Sequence, residues 1–202
     1  MPSRWRPGPA RLVQLVAGLW LFGSGEALLV GSRLGNSPWS VLAQGVSRHT
    51  PLAVGTATIA ISGVVLLMWL PLRQPPGVGT VLNALLIGVA IDVTLPLLSP
   101  TAPLATRALE VPAGIGLVAL GSGLYLTTRL GPGPRDGLMT ALARRFGHSL
   151  RLVRSALEGS ALAAGWVLGG RVGVGTVAFA ALIGPAVQRM VRVLDRHPLH
   201  PL

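Results

Sequence analysis

Acidic and amide side chains lie inside apolar stretches of this chain, where such groups are rare. Glu26 and Asp92 each lie within a hydrophobic run, and Asn83 precedes Asp92 by nine positions in the same run. A charged side chain at the centre of a bilayer costs about 2.5–3.5 kcal/mol on insertion scales, so it is by default a candidate for binding or for ion and proton movement. We expect these three side chains to bind a small solute or ion. Burial as structural partners of loop or terminal arginines is the alternative.

A second pair of candidates, Arg135 and Asp136, follows Pro134 in the phrase GPGPRDGLM. Proline fits the first position of a helix, because its missing N–H would have no partner there. Gly133 would then be the N-cap, and Asp136 would lie at the third helical position, where a carboxylate complements the positive end of the helix dipole. The phrase predicts a short amphipathic or re-entrant helix, with Arg135 and Asp136 at a cytoplasmic gate.

Residue types typical of enzymes and metal sites are scarce. The chain has no cysteine, which excludes thiolate ligands and cysteine nucleophiles. His49 and His148 fall in loops, and His197 and His200 stand three positions apart near the C-terminus, which is a weak metal signal. No Ser-His-Asp or Gly-x-Ser-x-Gly pattern suggests a hydrolase. We therefore expect no catalytic site, no metal and no cofactor.

The elements that must position these residues are membrane helices. Half of the 202 residues are hydrophobic and 11% are charged, whereas soluble domains carry about 25% charged residues. A bilayer core requires about 20 mostly apolar residues per helical span, and six segments approach this length. The fifth segment is the weakest, because Arg151, Arg154 and Glu158 lie in its first half. The six segments are 11–32, 51–71, 77–98, 109–128, 150–169 and 173–194.

The chain aligns with itself, without a gap, when it is shifted by 96 residues. Between Arg11 and Ala90, 26 of 80 positions are identical to their counterparts, and GVGTV at 77–81 matches GVGTV at 173–177. The phrase Arg-Leu-Gly-x-x-Pro also occurs twice and is called the repeat turn below. The repeat turn comprises Arg33, Gly35 and Pro38 in one half and Arg129, Gly131 and Pro134 in the other. We expect a single membrane domain over 1–202, with repeats at about 10–100 and 106–196 and a polar tail at 195–202.

Three spans per repeat would place the two halves in opposite orientations, as in many secondary transporters. With a cytoplasmic N-terminus, 13 of the 17 arginines lie on the inner side of the six-span arrangement and four on the outer side. This distribution follows the positive-inside rule and predicts that both termini are cytoplasmic. A five-span arrangement, with the fifth segment only interfacial, is the alternative. Because the arginines lie between apolar segments, the net charge of +11 does not indicate nucleic acid.

The phrases GNSPWSVL, VGTVLNALLIGVAID and GPGPRDGLMTAL resemble the YitT/YczE group of bacterial integral membrane proteins. The resemblance covers residues 10 to 195 and is closest to the YczE branch, because no soluble domain follows the last segment. It implies a multi-pass protein of the bacterial plasma membrane, and it assigns no activity and no site residue. Arg135, Asp136, Asn83 and Asp92 stand within the phrases that carry it.

We therefore expect an all-α polytopic protein of the lipid bilayer that acts as a transporter or permease for a small solute or ion. Glu26, Asn83 and Asp92 would line a site near the midplane. A non-transporting accessory or scaffold for a membrane partner is the alternative. The sequence leaves open whether the chain forms a homo-oligomer.

Overall fold

The computed structural model describes residues 4–195, so the tail with His197 and His200 lies outside the described residues. All regular secondary structure within 4–195 is helical, and this part of the chain has no β-strand. One turn of 3-10 helix, Leu95–Leu97, extends α5. The α-helices are α1 (Pro9–Ser32), α2 (Pro38–His49), α3 (Val54–Leu67), α4 (Trp69–Leu72), α5 (Val78–Thr94), α6 (Leu104–Thr127), α7 (Pro134–Phe146), α8 (Leu150–Val167) and α9 (Val174–Leu194).

Five of the helical segments in the described chain are long and apolar enough to cross a membrane: α1, α3 with α4, α5 with its 3-10 turn, α6 and α9. They correspond to five of the six segments expected from the sequence. The fifth expected segment forms α8, whose 18 residues include Arg151, Arg154 and Glu158. These charged residues made the segment the weakest candidate span in the sequence. For the same reason, α8 is not among the five helices that are apolar enough to cross a membrane. Helix α6 begins at Leu104, five residues before the expected start, with Pro103 at its N-cap position.

Helices α1 and α6 form the centre of the fold and pack closely through glycines. A Cβ atom on Gly121 would lie 2.5 Å from the carbonyl oxygen of Gly18, and one on Gly114 would lie 2.8 Å from that of Gly25. Gly18 thus lies opposite Gly121 and Gly25 opposite Gly114, so the two helices run antiparallel. The two glycines of each helix are seven residues apart in the sequence and so lie on one face, and these two faces meet here. Small residues at such crossings let helix backbones approach each other.

The remaining helices surround this central pair. Helix α5 packs against α1, and α9 packs against α6. The two connecting helices occupy corresponding places, because α2 packs on α8 and α7 packs on α3 and α4. Both connecting helices begin at the expected proline, with Ser37 as the N-cap of α2 and Gly133 as the N-cap of α7. Proline at this first position has no N–H that would need an intrahelical partner.

The repeat turns reverse the chain at opposite ends of the α1–α6 pair. Arg33 and Arg129 end their helices with positive φ values of 58° and 56°. Gly35 and Gly131 follow with φ values of 120° and 124°, a conformation that L side chains rarely adopt. The repeated phrase therefore encodes the same backbone turn twice, and its glycine is required by that turn.

Each repeat turn binds the first residues of a helix in the other half of the chain. The N–H of Gly79 donates to the carbonyl oxygen of Leu130 (3.0 Å), and the N–H of Gly175 donates to that of Leu34 (2.8 Å). The GVGTV phrase is thus a helix start, as expected, and also a docking surface for the Arg-Leu-Gly phrase. The two phrases recur together because they contact each other across the halves.

Candidate functional site

A cavity of about 340 Å³ lies beside the α1–α6 crossing and receives side chains from both halves of the chain. Eight pairs of its lining residues occupy positions that the 96-residue alignment makes equivalent. Equivalent positions of the two halves of the chain therefore line the same cavity. The eight pairs are Phe22 and Val118, Glu26 and Ser122, Ser37 and Gly133, Trp39 and Arg135, Thr58 and Arg154, Ser62 and Glu158, Asn83 and Phe179, and Ile87 and Ile183.

Glu26 lines this cavity from α1 and is 2% exposed. Its Oε2 accepts hydrogen bonds from the hydroxyls of Ser37 (2.8 Å) and Ser40 (2.7 Å), which lie at the start of α2. Its Oε1 has no hydrogen bond to any described residue. The alternative considered from the sequence paired Glu26 with a loop or terminal arginine, and no described arginine forms an ion pair with it. The first turn of α2 supplies hydroxyl donors instead, at the helix end that favours a carboxylate.

Arg135 lines the cavity from the first turn of α7. Its guanidinium carbon lies 5.0 Å from the centre of the Trp39 ring, a cation–π distance. Within residues 4–195 the guanidinium makes no hydrogen bond, and no carboxylate lies within ion-pair distance of it. Enclosure by protein lowers the pKa of Arg135 from its usual value, and the negative charges of Glu26, Asp136 and Glu158 act in the opposite direction.

Asp136 and Asn83 also border the cavity, beside the N-terminus of α7. The hydroxyl of Tyr125 on α6 donates to Oδ2 of Asp136 (2.6 Å). Asn83 on α5 lies against the N-cap of α7, because a Cβ on Gly133 would lie 3.0 Å from its amide nitrogen. Each connecting helix therefore has a carboxylate near its first turn. Glu26, on α1, accepts hydrogen bonds from the start of α2. Asp136 lies in the first turn of α7 itself.

Asp92 lies outside the cavity, at the N-terminus of α3. Its Oδ1 accepts from the N–H of Gly55 (2.6 Å), and its Oδ2 accepts from the N–H (2.8 Å) and the hydroxyl (2.8 Å) of Thr56. These donors are among the backbone groups that a helix start leaves unpaired. Asp92 thus caps α3 from α5. No arginine among the described residues pairs with it.

Arg154 and Glu158 border the cavity from α8 and bind each other. Arg154 Nε lies 2.9 Å from Glu158 Oε1, and the side chains are 51% and 32% exposed. The two residues are four positions apart, a spacing that brings opposite charges together on one face of a helix. The Arg154–Glu158 pair lies on the more open side of the cavity, because the other residues of the eight equivalent pairs are largely covered by protein.

Four residues that interact with the charged side chains of the cavity were not predicted from the sequence. Ser37, Ser40 and Tyr125 donate to the two carboxylates, and Trp39 lies against Arg135. A signal for Trp39 was present, because the alignment makes it equivalent to Arg135. The indole Nε1 of Trp39 is buried and has no hydrogen-bond partner within the described chain. Apolar residues such as Phe22 form the rest of the cavity wall.

The helical fold and the apolar helices define a multi-pass membrane protein. The chain belongs to the family of unknown function DUF6198, whose profile matches residues 9–192.

Three relatives extend this result. An uncharacterized protein of Haemophilus influenzae is 41% identical over 199 residues, which cover 98% of this chain and 91% of the relative. The uncharacterized membrane protein YczE of Bacillus subtilis is 34% identical over 170 residues, covering 83% of this chain and 79% of the relative. The uncharacterized protein YyaS of the same organism is 26% identical over 184 residues, covering 89% and 92%. The expected resemblance to the YczE branch is confirmed. No solved structure matches the chain.

Proposed function

We propose that this protein is a transporter or permease for a small solute or ion in the bacterial plasma membrane. The carrying observation is the central cavity, which equivalent positions of the two halves line in pairs. Substrate sites of many secondary transporters lie at the interface between two inverted repeats, near the bilayer midplane. A cavity of about 340 Å³ is at the lower end of the range of about 300–1,000 Å³ for ligand pockets, which suits a small solute.

The proposal includes six spans, arranged as two inverted three-helix repeats with both termini cytoplasmic. The antiparallel crossing of α1 and α6 supports the inversion, because these helices are equivalent in the alignment. The reciprocal docking of the repeat turns supports it as well. Helix α8 would be the fifth span in chain order and would complete the set of six. Its charged residues Arg154 and Glu158 bind each other and border the cavity, so they need not face lipid.

The connecting helices α2 and α7 would be re-entrant, with their N-termini at the cavity and their C-termini at opposite membrane faces. Ser37 and Ser40 reach Glu26, which lies six residues before the end of α1, whereas His49 at the other end of α2 is exposed. Non-helical backbone at membrane depth requires cover from protein or a water-filled cavity. The N-cap residues Ser37 and Gly133 are buried and line the cavity, which supports this arrangement. Glu26, Asn83, Arg135 and Asp136 would form the translocation site.

Transport can be tested by uptake into proteoliposomes of radiolabelled amino acids, carboxylates, amines and sugars. Ser122→Leu should abolish uptake, because Ser122 is buried and lines the cavity. Gly116→Leu is the matched control, since it lies on the same helix and a Cβ there would meet nothing within 4 Å. Uptake that Ser122→Leu leaves unchanged would overturn the assignment of the path. No uptake of any class, together with co-purification of a stoichiometric membrane partner, would favour an accessory role.

A further inference from the structure

Two groups facing the cavity have hydrogen-bonding capacity that the protein leaves unused. Glu26 Oε1 accepts no hydrogen bond from residues 4–195, although Oε2 of the same carboxylate accepts two. The Arg135 guanidinium donates none in that part of the chain and rests on the Trp39 ring. Buried charged groups usually have partners, because an uncompensated buried charge costs several kcal/mol. A free acceptor and free donors in one enclosed space therefore point to a ligand.

We propose that the cavity binds a small zwitterion, with an anionic group on the Arg135 guanidinium and an ammonium group on Glu26 Oε1. This inference rests on the proposed function, because it names the substrate class of the same cavity. A guanidinium presents its donors in a planar fork that matches a carboxylate. The free oxygen of Glu26 is an acceptor suited to the three N–H donors of an ammonium group.

The charge balance favours one zwitterion over a single ion. An anion alone would satisfy Arg135 and leave Glu26 Oε1 unpaired, and a cation alone would do the reverse. A zwitterion pairs both groups and brings no net charge into a poorly solvated space, where a net charge is expensive. The charges of Arg154 and Glu158 are already used in their mutual ion pair. The carboxylate of Asp136 accepts from Tyr125 and is exposed, so it is hydrated and does not need the ligand as a partner.

The remaining wall of the cavity restricts the body of the solute. Phe22, Ile87, Val118 and Ile183 contribute apolar surface next to the charged groups. Ligand sites typically combine such apolar walls with a few polar groups that fix orientation. With about 340 Å³ available, the solute that fits is an amino acid with a short aliphatic side chain.

Isothermal titration calorimetry on the purified full-length protein in detergent tests this directly. The ligands are L-alanine, L-valine, L-leucine and L-methionine, together with isobutylamine and isovalerate, which are valine without its carboxylate and without its amine. We expect at least one amino acid to bind, and both fragments to bind at least about tenfold more weakly than valine, because each loses one charged hydrogen bond. Binding of no amino acid, or of one fragment as tightly as valine, would overturn the proposal.

Variants assign the two contacts. Glu26→Gln keeps an oxygen that can accept from Ser37 and Ser40, so the fold should persist. Glu26→Gln and Arg135→Gln should each weaken amino-acid binding at least about tenfold. Arg145→Gln, at the exposed end of α7, and Glu110→Gln, on α6 outside the cavity lining, are the matched controls and should bind as the wild type does. Unchanged affinity in either cavity variant would overturn the assigned contact.

Binding and uptake, measured with the same protein, distinguish failure of the zwitterion inference from failure of the proposed transport function. Amino-acid binding without uptake of that amino acid into proteoliposomes would retain the site and overturn transport. Uptake of a sugar, an amine or a carboxylate that Ser122→Leu blocks, without amino-acid binding, would retain transport and overturn the zwitterion site.

Discussion

The Arg135 guanidinium lies 5.0 Å from the centre of the Trp39 ring, and these two residues occupy equivalent positions in the two halves of the chain. Two residues that the repeat relates therefore contact each other, which places their contact where the halves meet. They also differ in chemistry, because one half provides a cation and the other an aromatic face. The repeat thus places the two residues at equivalent positions, and the difference in residue type between its copies produces the cation–π contact.

The Trp39–Arg135 contact should contribute measurable coupling to stability. Trp39→Leu, Arg135→Gln and the double variant can be compared by denaturant unfolding in detergent. A cation–π contact contributes about 0.5–2 kcal/mol, so the loss in the double variant should be smaller than the sum of the single losses by that amount. Additive losses would contradict an energetic contact between the two side chains.

The α1–α6 crossing should tolerate no added methyl group at Gly121. A Cβ there would lie 2.5 Å from the Gly18 carbonyl oxygen, so Gly121→Ala must separate two backbones and should lower the free energy of unfolding by about 1–3 kcal/mol. Gly116→Ala on the same helix meets nothing within 4 Å and should be neutral or stabilising by up to about 1 kcal/mol. Equal effects of the two substitutions in thermal unfolding would contradict the observed crossing.

Much of this fold follows from local chemistry that the sequence displays. Five helices that are long and apolar enough to cross a membrane are evident, because a bilayer core requires about 20 apolar residues. The starts of α2 and α7 are evident because Pro38 and Pro134 fit the first helical position. The seven-residue spacing of the glycines in α1 and α6 is a further local signal, because it places them on one face of each helix. Each of these features depends on residues close together in sequence or on an exact repeat.

The partners of the buried charges could not be predicted in the same way. Glu26 binds two serines at the start of α2, and Asp92 binds the start of α3, whereas loop or terminal arginines were the structural partners considered from the sequence. Helix starts offer unpaired donors that no charge count reveals, so a search for opposite charges overlooks them. Four of the five selected residues, Glu26, Asn83, Arg135 and Asp136, line one cavity, and Asp92 does not.

Asp92 should therefore affect stability and leave ligand binding unchanged. Asp92→Asn replaces one carboxylate oxygen by an amide donor that faces the N–H of Thr56, and it should lower the free energy of unfolding by about 1–2 kcal/mol through the loss of the cap on α3. Denaturant unfolding measures this change, and calorimetry with L-valine measures binding. A folded Asp92→Asn variant with greatly weakened valine binding would contradict the separation between the cap and the cavity.

The two docking contacts of the repeat turns should differ in strength. Thr80 Oγ1 donates to the carbonyl oxygen of Pro132 (2.8 Å) and accepts from the N–H of Gly77 (3.1 Å), whereas Thr176 Oγ1 accepts only from the N–H of Gly173 (3.3 Å) among the hydrogen bonds of the described chain. Thr80→Val should lower the free energy of unfolding by about 1–3 kcal/mol, and Thr176→Val by less. The reverse order in denaturant unfolding would contradict these assignments.

Accessibility of single cysteines should decide the membrane arrangement, and the chain offers a background without native cysteine. His49 and Arg145 are exposed equivalent residues at the ends of α2 and α7, and Val172 follows α8. In whole cells, a membrane-impermeant maleimide should label His49→Cys directly and Arg145→Cys only after permeabilisation, because the halves would be inverted and the arginine-rich side faces the cytoplasm. Labelling of both from one side would contradict the inversion.

Val172→Cys should react from the outside, as His49→Cys does, if α8 crosses the membrane. Reaction only after permeabilisation would leave α8 in the cytoplasmic interface and place the C-terminus outside, because α9 would then be the fifth and last span.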